Sequence, residues 1–179
     1  MRKESESITF RIQVSLLKSL RTESFENHIS VNTLVNQLII EHEKWHKYAR
    51  HVGFISIPKD FQRTLLDNIT KNKLIEITQK KAENCKDIIT MLRPSYDLNS
   101  FLDVIETWFM ISGFSCRKDE NADIIKLNIH HDMGEKWSVF ISILLQQNLE
   151  KLINGKILVE MTDKTVIVVL PKNQSVIIC

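Results

Sequence analysis

Three side chains near the start of the chain, Thr9, Arg11 and Gln13, alternate with apolar residues. Spacing by two places them on one face of an extended segment, with Ile8, Phe10, Ile12 and Val14 on the other. A hydroxyl, a guanidinium and a carboxamide in a row make a strip of hydrogen-bond donors and acceptors, suited to reading a polar edge. A second group, His130-His131-Asp132, is followed closely by Glu135. These side chains, with Cys116 on a neighbouring strand, are chemically competent ligands for a metal ion. Adjacent histidines on an extended chain point to opposite sides, which makes it hard for one ion to reach both. The same stretch also reads as a strand-to-helix loop in which Asp132 caps the helix, Gly134 makes the turn and Trp137 packs in the core.

The first group is positioned by a predicted strand from Ile8 to Val14. It is followed by a helix from Ser15 to His28, with Leu16, Leu17, Leu20 and Phe25 as its apolar stripe. Ser30 has the side chain of an N-cap, opening a second helix with Val31, Leu34, Val35, Leu38 and Ile39 on its buried side. That periodicity continues weakly through His42, Trp45 and Ala49, and Gly53 marks a joint. Because the strand is the first element, it has no preceding partner. A lone amphipathic strand is stable only if it pairs, most simply with its own copy across a two-fold axis.

Beyond the joint we expect a short strand at Phe54–Ile57 and a helix opening at Pro58 with Phe61, Leu65, Leu66 and Ile69 inward. A polar break at Thr70–Lys73 leads into a helix that runs to about Leu92, stopped by Pro94. The remainder has an internal echo. Helices at 97–112 and 134–152, closed by Gly113 and by Asn154-Gly155, each precede two strands: 114–118 and 124–129, then 157–161 and 165–170. The expected class is α+β: an N-terminal unit at residues 1–50, then an αββαββ domain at 51–179 with one antiparallel sheet and helices packed on one face.

Composition narrows the function classes. The chain has 179 residues, 43% of them hydrophobic and 26% charged, which are ordinary globular values. No stretch approaches the roughly 18 uninterrupted apolar residues of a membrane span, and Met1-Arg2-Lys3-Glu4-Ser5-Glu6 lacks the apolar centre of a signal peptide. Cys85, Cys116 and Cys179 are widely spaced, which implies neither a disulfide framework nor a zinc knuckle and fits a reducing cytoplasm. Four glycines leave no phosphate-binding glycine loop. The net charge of +2 falls entirely in residues 1–50, where Lys and Arg number 8 against 6 Asp and Glu. The rest balances at 16 of each (24 − 8 and 22 − 6). That distribution favours an anionic partner for the first unit. No Ser/His/Asp or Cys/His constellation stands in a supporting motif, and enzymatic activity is not expected. Trp108 and Phe109 read as core, and His42, His46 and His51 as a solvated helix face.

Ile8-Thr9-Phe10-Arg11-Ile12-Gln13, the spacing to the first helix, and Ser30-Val31-Asn32 at the start of the second resemble the ribbon-helix-helix family of transcription regulators, the MetJ/Arc/CopG class. The resemblance covers about the first quarter of the chain. It implies a homodimer, or a tetramer built from one, whose paired strands enter the major groove of double-stranded DNA. By position, Thr9, Arg11 and Gln13 would read bases, and Ser30, Val31 and Asn32 would hold a phosphate at the helix N-terminus. One departure is the turn between the helices, where Asn27-His28 replaces the usual glycine. The nickel-responsive regulators share the plan of such a unit plus an α/β sensor, but the strand order differs, so no ligands carry over. The second domain is then expected to bind a small-molecule or metal effector or to drive assembly. An antitoxin-type interaction protein and a metal-responsive sensor using His130 and His131 are the alternatives.

Overall fold

The computed structural model describes residues 6–9 and 11–172. The chain divides between His46 and Lys47 into two compact units.

The first unit contains α1 (Val14–Glu26), α2 (Val31–Glu41) and a π-helical segment (His42–His46) that continues α2 without a break. A π turn carries an extra residue and rotates the buried face of the helix. The apolar periodicity of α2 weakens over this segment, and Trp45 is buried there. Among the described residues of this unit, Leu20, Ser24, Leu34 and Trp45 are the buried side chains. Against that small core, Ile8, Val14, Leu16, Phe25, Leu38, Ile39 and Ile40 are exposed, Phe25 at 79% and Ile8 at 81%.

The second unit opens with the short α3 (Lys47–Ala49) and continues with α4 (Lys59–Asp67), α5 (Lys71–Ala82) and α6 (Cys85–Leu92). Phe54–Ile57, expected as a strand, is irregular chain with Ile55 and Ile57 exposed; no described strand lies beside it to complete a ladder. The helix expected to run unbroken to Leu92 is two helices, separated at Glu83-Asn84. Arg93 is extended (φ −139°, ψ 154°), as the residue before a proline must be. Phe61 and Leu65 of α4, expected inward, are exposed.

The αββαββ order is present: α7 (Leu98–Ile111), β1 (Ser115–Glu120), β2 (Ile124–His130), α8 (Glu135–Ile153), β3 (Leu158–Met161) and β4 (Thr165–Pro171). The four strands form one antiparallel sheet in the order β1-β2-β4-β3, so the two halves meet at the central β2–β4 seam. The two hairpins use the same chemistry. The Asn121 side chain accepts the Asp123 and Ile124 N–H groups, both at 2.9 Å. The Thr162 hydroxyl accepts those of Lys164 and Thr165 at 3.2 and 3.1 Å. These are Asx and Ser/Thr turns, in which a side chain substitutes for a backbone acceptor. Asn154, at φ 49°, closes α8 in the left-handed conformation that Asn tolerates.

One face of the sheet supplies Ile125, Leu127, Ile129, Val166, Val168 and Leu170 to the core, all buried, with Phe101 and Phe109 of α7 and Ile141, Leu145 and Leu149 of α8. The opposite face, with Lys126, Asn128, Ile167 and Val169, is half-exposed. The outer strands differ. On β1, Arg117 pairs with Asp119 at 2.8 Å and Lys118 with Glu120 at 3.4 Å. On β3, the sequence Leu-Val-Glu-Met leaves Leu158 and Met161 exposed.

Candidate nucleic-acid interface

Thr9, Arg11 and Gln13 are all exposed. Residues 6–9 and 11–13 form no strand within this chain, and Val14, expected as the end of the strand, is the first residue of α1. Phe10 lies outside the described residues. The physical reason is that strand hydrogen bonds need a neighbour, and no described strand of this chain lies beside it. Gln13 keeps extended backbone (φ −59°, ψ 139°) while its carbonyl accepts the Leu17 N–H at 3.0 Å, so the segment passes from extended chain to helix at that residue.

The turn from α1 to α2 fixes the second half of the site. His28, not Asn27, takes the left-handed conformation, at φ 54°. The His28 N–H donates to the Phe25 carbonyl at 3.1 Å and the Ile29 N–H to the Ser24 carbonyl at 2.9 Å. This pair of bonds is the Schellman closure, which normally places glycine where His28 stands. The chain then reverses into α2, where the Ser30 hydroxyl accepts the Thr33 N–H at 3.0 Å and lies 2.8 Å from the Thr33 hydroxyl. Ser30 is therefore the expected N-cap. Capping answers one of the four first-turn amides; those of Val31 and Asn32 have no acceptor within the helix, and the macrodipole adds positive potential at the same place. Asn32 is further held by Asn36, whose amide donates to the Asn32 carbonyl at 2.8 Å. Ser30, Val31 and Asn32 thus form one helix N-terminus, with Ser30 and Asn32 exposed.

The second group of candidate residues is not brought together. His130 lies on the half-exposed face of the sheet, its Nδ1 3.3 Å from the Thr165 hydroxyl across the strand pair. His131 turns the other way and is buried at 2% exposure. Its Nδ1 accepts the Met133 N–H at 3.3 Å, so the ring proton sits on Nε2 and is donated to the Ser138 hydroxyl at 2.9 Å. A serine activated by histidine needs the opposite arrangement, with Nε2 accepting. Ser138 is moreover fully buried. Burial, and secondarily the charge of His130, hold the His131 imidazole below its usual range, with Asp132 and Asp163 working against them.

Asp132 does not cap α8. That position is Gly134, at φ 86°, with no side-chain bond. Asp132 instead pairs with Lys59 at 3.2 Å, and its carbonyl accepts from Arg63. Glu135 pairs with Lys71 at 3.0 Å, and Cys116 stands opposite Ile129 on β2. Among the described residues, no three His, Cys, Asp or Glu side chains are placed to hold a metal ion. Trp137 packs at the core as expected, between Trp108 and Phe140 at 6.1 and 4.9 Å between ring centres.

Sequence reasoning missed Lys59, Arg63 and Lys136, which join α4 to α8 and the loop before it. Lys136 donates to the carbonyls of Leu66, Asp67 and Ile69 at 3.0, 2.9 and 2.7 Å, using all three ammonium protons on the C-terminal end of α4. A basic residue near a polar break was the only signal, and it is too common to be specific. His42, His46 and His51 are exposed. No described helix is long and apolar enough to cross a membrane. Comparison of the chain with protein-family models, with curated proteins and with solved structures finds no match.

Proposed function

We propose that this chain is a sequence-specific DNA-binding transcription regulator, a repressor acting in the cytoplasm, that binds its operator as a homodimer. The observation that carries the reading is the incompleteness of the first unit. Its leading segment exposes Thr9, Arg11 and Gln13 and, among the described residues, finds no strand partner in its own chain. Its helices leave Phe25, Leu38 and Ile39 in water. A second copy answers both deficits at once: the two segments pair into a ribbon, and the apolar helix faces close on each other. A two-stranded ribbon fits the major groove, where Arg11 can make paired hydrogen bonds with guanine and Gln13 with adenine, while Thr9 can bond a base or touch a thymine methyl. The amides of Val31 and Asn32, with Ser30 shaping the helix start, hold a phosphate and set register. The second unit, with its own core, is the sensing or assembly domain. A folded second unit argues against the antitoxin alternative, in which a short tail folds on its partner.

The test is a mobility shift on the DNA upstream of the chain's own gene, repeated over a range of salt. Arg11→Ala should weaken binding by about 1–3 kcal/mol and relax specificity at one base position. Equal affinity of Arg11→Ala and the parent across salt concentrations would sink the reading.

A further inference from the structure

Among the buried groups that the DNA-binding reading leaves unused, His131 has the most defined surroundings. The residues after it, Asp132 and Met133, make the loop that leads into α8. Met133 is buried, and its N–H is donated to His131 Nδ1. Asp132 takes the two hydrogen-bonded ties from the first half of α4, Lys59 on its carboxylate and Arg63 on its carbonyl, beside the contact of Lys59 with the Phe114 ring. The far end of α4 is held separately by Lys136. The helix therefore has two fastenings, and one of them depends on a histidine that must accept a hydrogen bond.

We propose that His131 is an acid-sensitive latch: neutral, it fastens the 131–134 loop and with it the first half of α4; protonated, it releases both. The chemistry is a count of donors. Neutral imidazole with its proton on Nε2 donates to Ser138 and accepts from Met133. Imidazolium has two N–H groups and no acceptor, so Nδ1–H would face the Met133 N–H, donor against donor. The ring must turn or the loop must move, and Asp132, next in the chain, moves with the loop.

Within the loop, His130 opposes the charge on His131 and Asp132 favours it. From the β3–β4 turn, Asp163 favours it, and the Lys164 carbonyl accepts the His131 N–H at 2.9 Å. From α8, Ser138 is a neutral hydroxyl, and Glu135 is paired with Lys71. From α4, the Lys59 ammonium lies 4.4 Å from the centre of the Phe114 ring, which His131 meets edge-on at 6.1 Å. Burial outweighs the two carboxylates, so the folded protein binds this proton less readily than the unfolded chain. The stabilisation is thus fully present above the unfolded value of about 6.5 and is lost as pH falls from there toward the lower folded value. Asp132 does not titrate over the same range. Burial works to raise its carboxyl, but the hydrogen bonds from Lys59 and its own backbone, with the charges of Lys59 and Arg63, hold it below the usual range, so it stays ionised throughout.

The experiment is amide exchange by NMR on the full chain, from about pH 7.5 to about pH 5, corrected for intrinsic rates. The Gln62 and Arg63 amides, the hydrogen-bonded ones in the first half of α4, should lose protection by up to about tenfold per pH unit as pH falls from about 6.5 toward the His131 midpoint, and level off below it. Those at Leu66–Ile69 and in β4 should hold. The Met133 amide shift should titrate with the His131 ring protons at one midpoint. His131→Asn, whose side-chain oxygen can still accept the Met133 N–H but cannot be protonated, should remove the pH dependence; His130→Ala should keep it. If His131 titrates while Met133 and α4 do not respond, or if His131→Asn loses α4 protection with pH as the parent does, the latch is wrong. Should His131→Asn not fold, the joint titration of Met133 and His131 in the parent decides alone.

Discussion

At the scale of single residues, His28 shows how a side chain can occupy a place shaped for another. A β-carbon in the left-handed region costs about 1–2 kcal/mol, partly relieved for a histidine by its tolerance of that conformation. Both Schellman bonds are nonetheless in place around it. Glycine relieves the strain but gains freedom in the unfolded chain, so His28→Gly should stabilise the protein by about 0.5–1 kcal/mol, read as a raised midpoint in thermal melting. An unchanged or lowered midpoint would mean that the turn is not strained. The two described cysteines give a second expectation. Burial pushes the Cys85 thiol up to about 11, with Asn148 and Lys151 opposing, and burial with the Glu106 charge does the same for Cys116. The thiolate is the reactive form. In a Cys179→Ser background at about pH 8, both should therefore alkylate roughly a hundredfold or more slower than in urea-unfolded protein. Rates comparable with the unfolded chain would show that neither site is closed.

Among the elements, the punctuated ones were legible and the unpunctuated ones were not. Asp97 accepts the Ser100 N–H at 2.8 Å to open α7, Gly113 at φ 69° closes it, and Asn154 closes α8; each is a residue type with one strong local preference. These marks let the order and approximate limits of the αββαββ segment be read directly. The α5–α6 break carries only a weak mark: Asn84 stands at the N-cap of α6 without a side-chain cap bond, and neither glycine nor proline is present. Phe54–Ile57 has strand-like residues, but pairing is a property of neighbours, which composition does not record. The amphipathic pattern of α4 was visible, yet periodicity says only that a helix has an apolar side, and Phe61 and Leu65 stayed exposed. What holds that helix is polar and distant in sequence. Replacing Lys136 with Met keeps the methylene stem but removes three charge-assisted bonds to the end of α4. The expected cost is about 1.5–3 kcal/mol in urea unfolding, with α4 amides losing protection first. A loss spread evenly over the whole second unit would contradict this assignment.

Viewed as a whole molecule, the chain joins a unit with a complete core to one without. The strip Thr9, Arg11 and Gln13 was readable from alternation alone, and with it the need for a pairing neighbour, which the described residues of this chain do not supply. If the first unit closes by dimerising, Phe25→Glu should weaken dimers measured by sedimentation. Burying one phenylalanine stabilises by about 1.5–3 kcal/mol, and two copies raise the dissociation constant by roughly two to four powers of ten. DNA binding should fall with it, while the melting of the second unit stays put. A variant that remains dimeric would place the contact elsewhere. The unequal edges of the sheet carry a different consequence. Charged pairs along β1 deter strand addition from that side, whereas β3 offers open backbone beside exposed Leu158 and Met161, with Glu160 as its one charge. Concentrated stocks of this protein should therefore aggregate through β3, and Leu158→Lys should extend their shelf life.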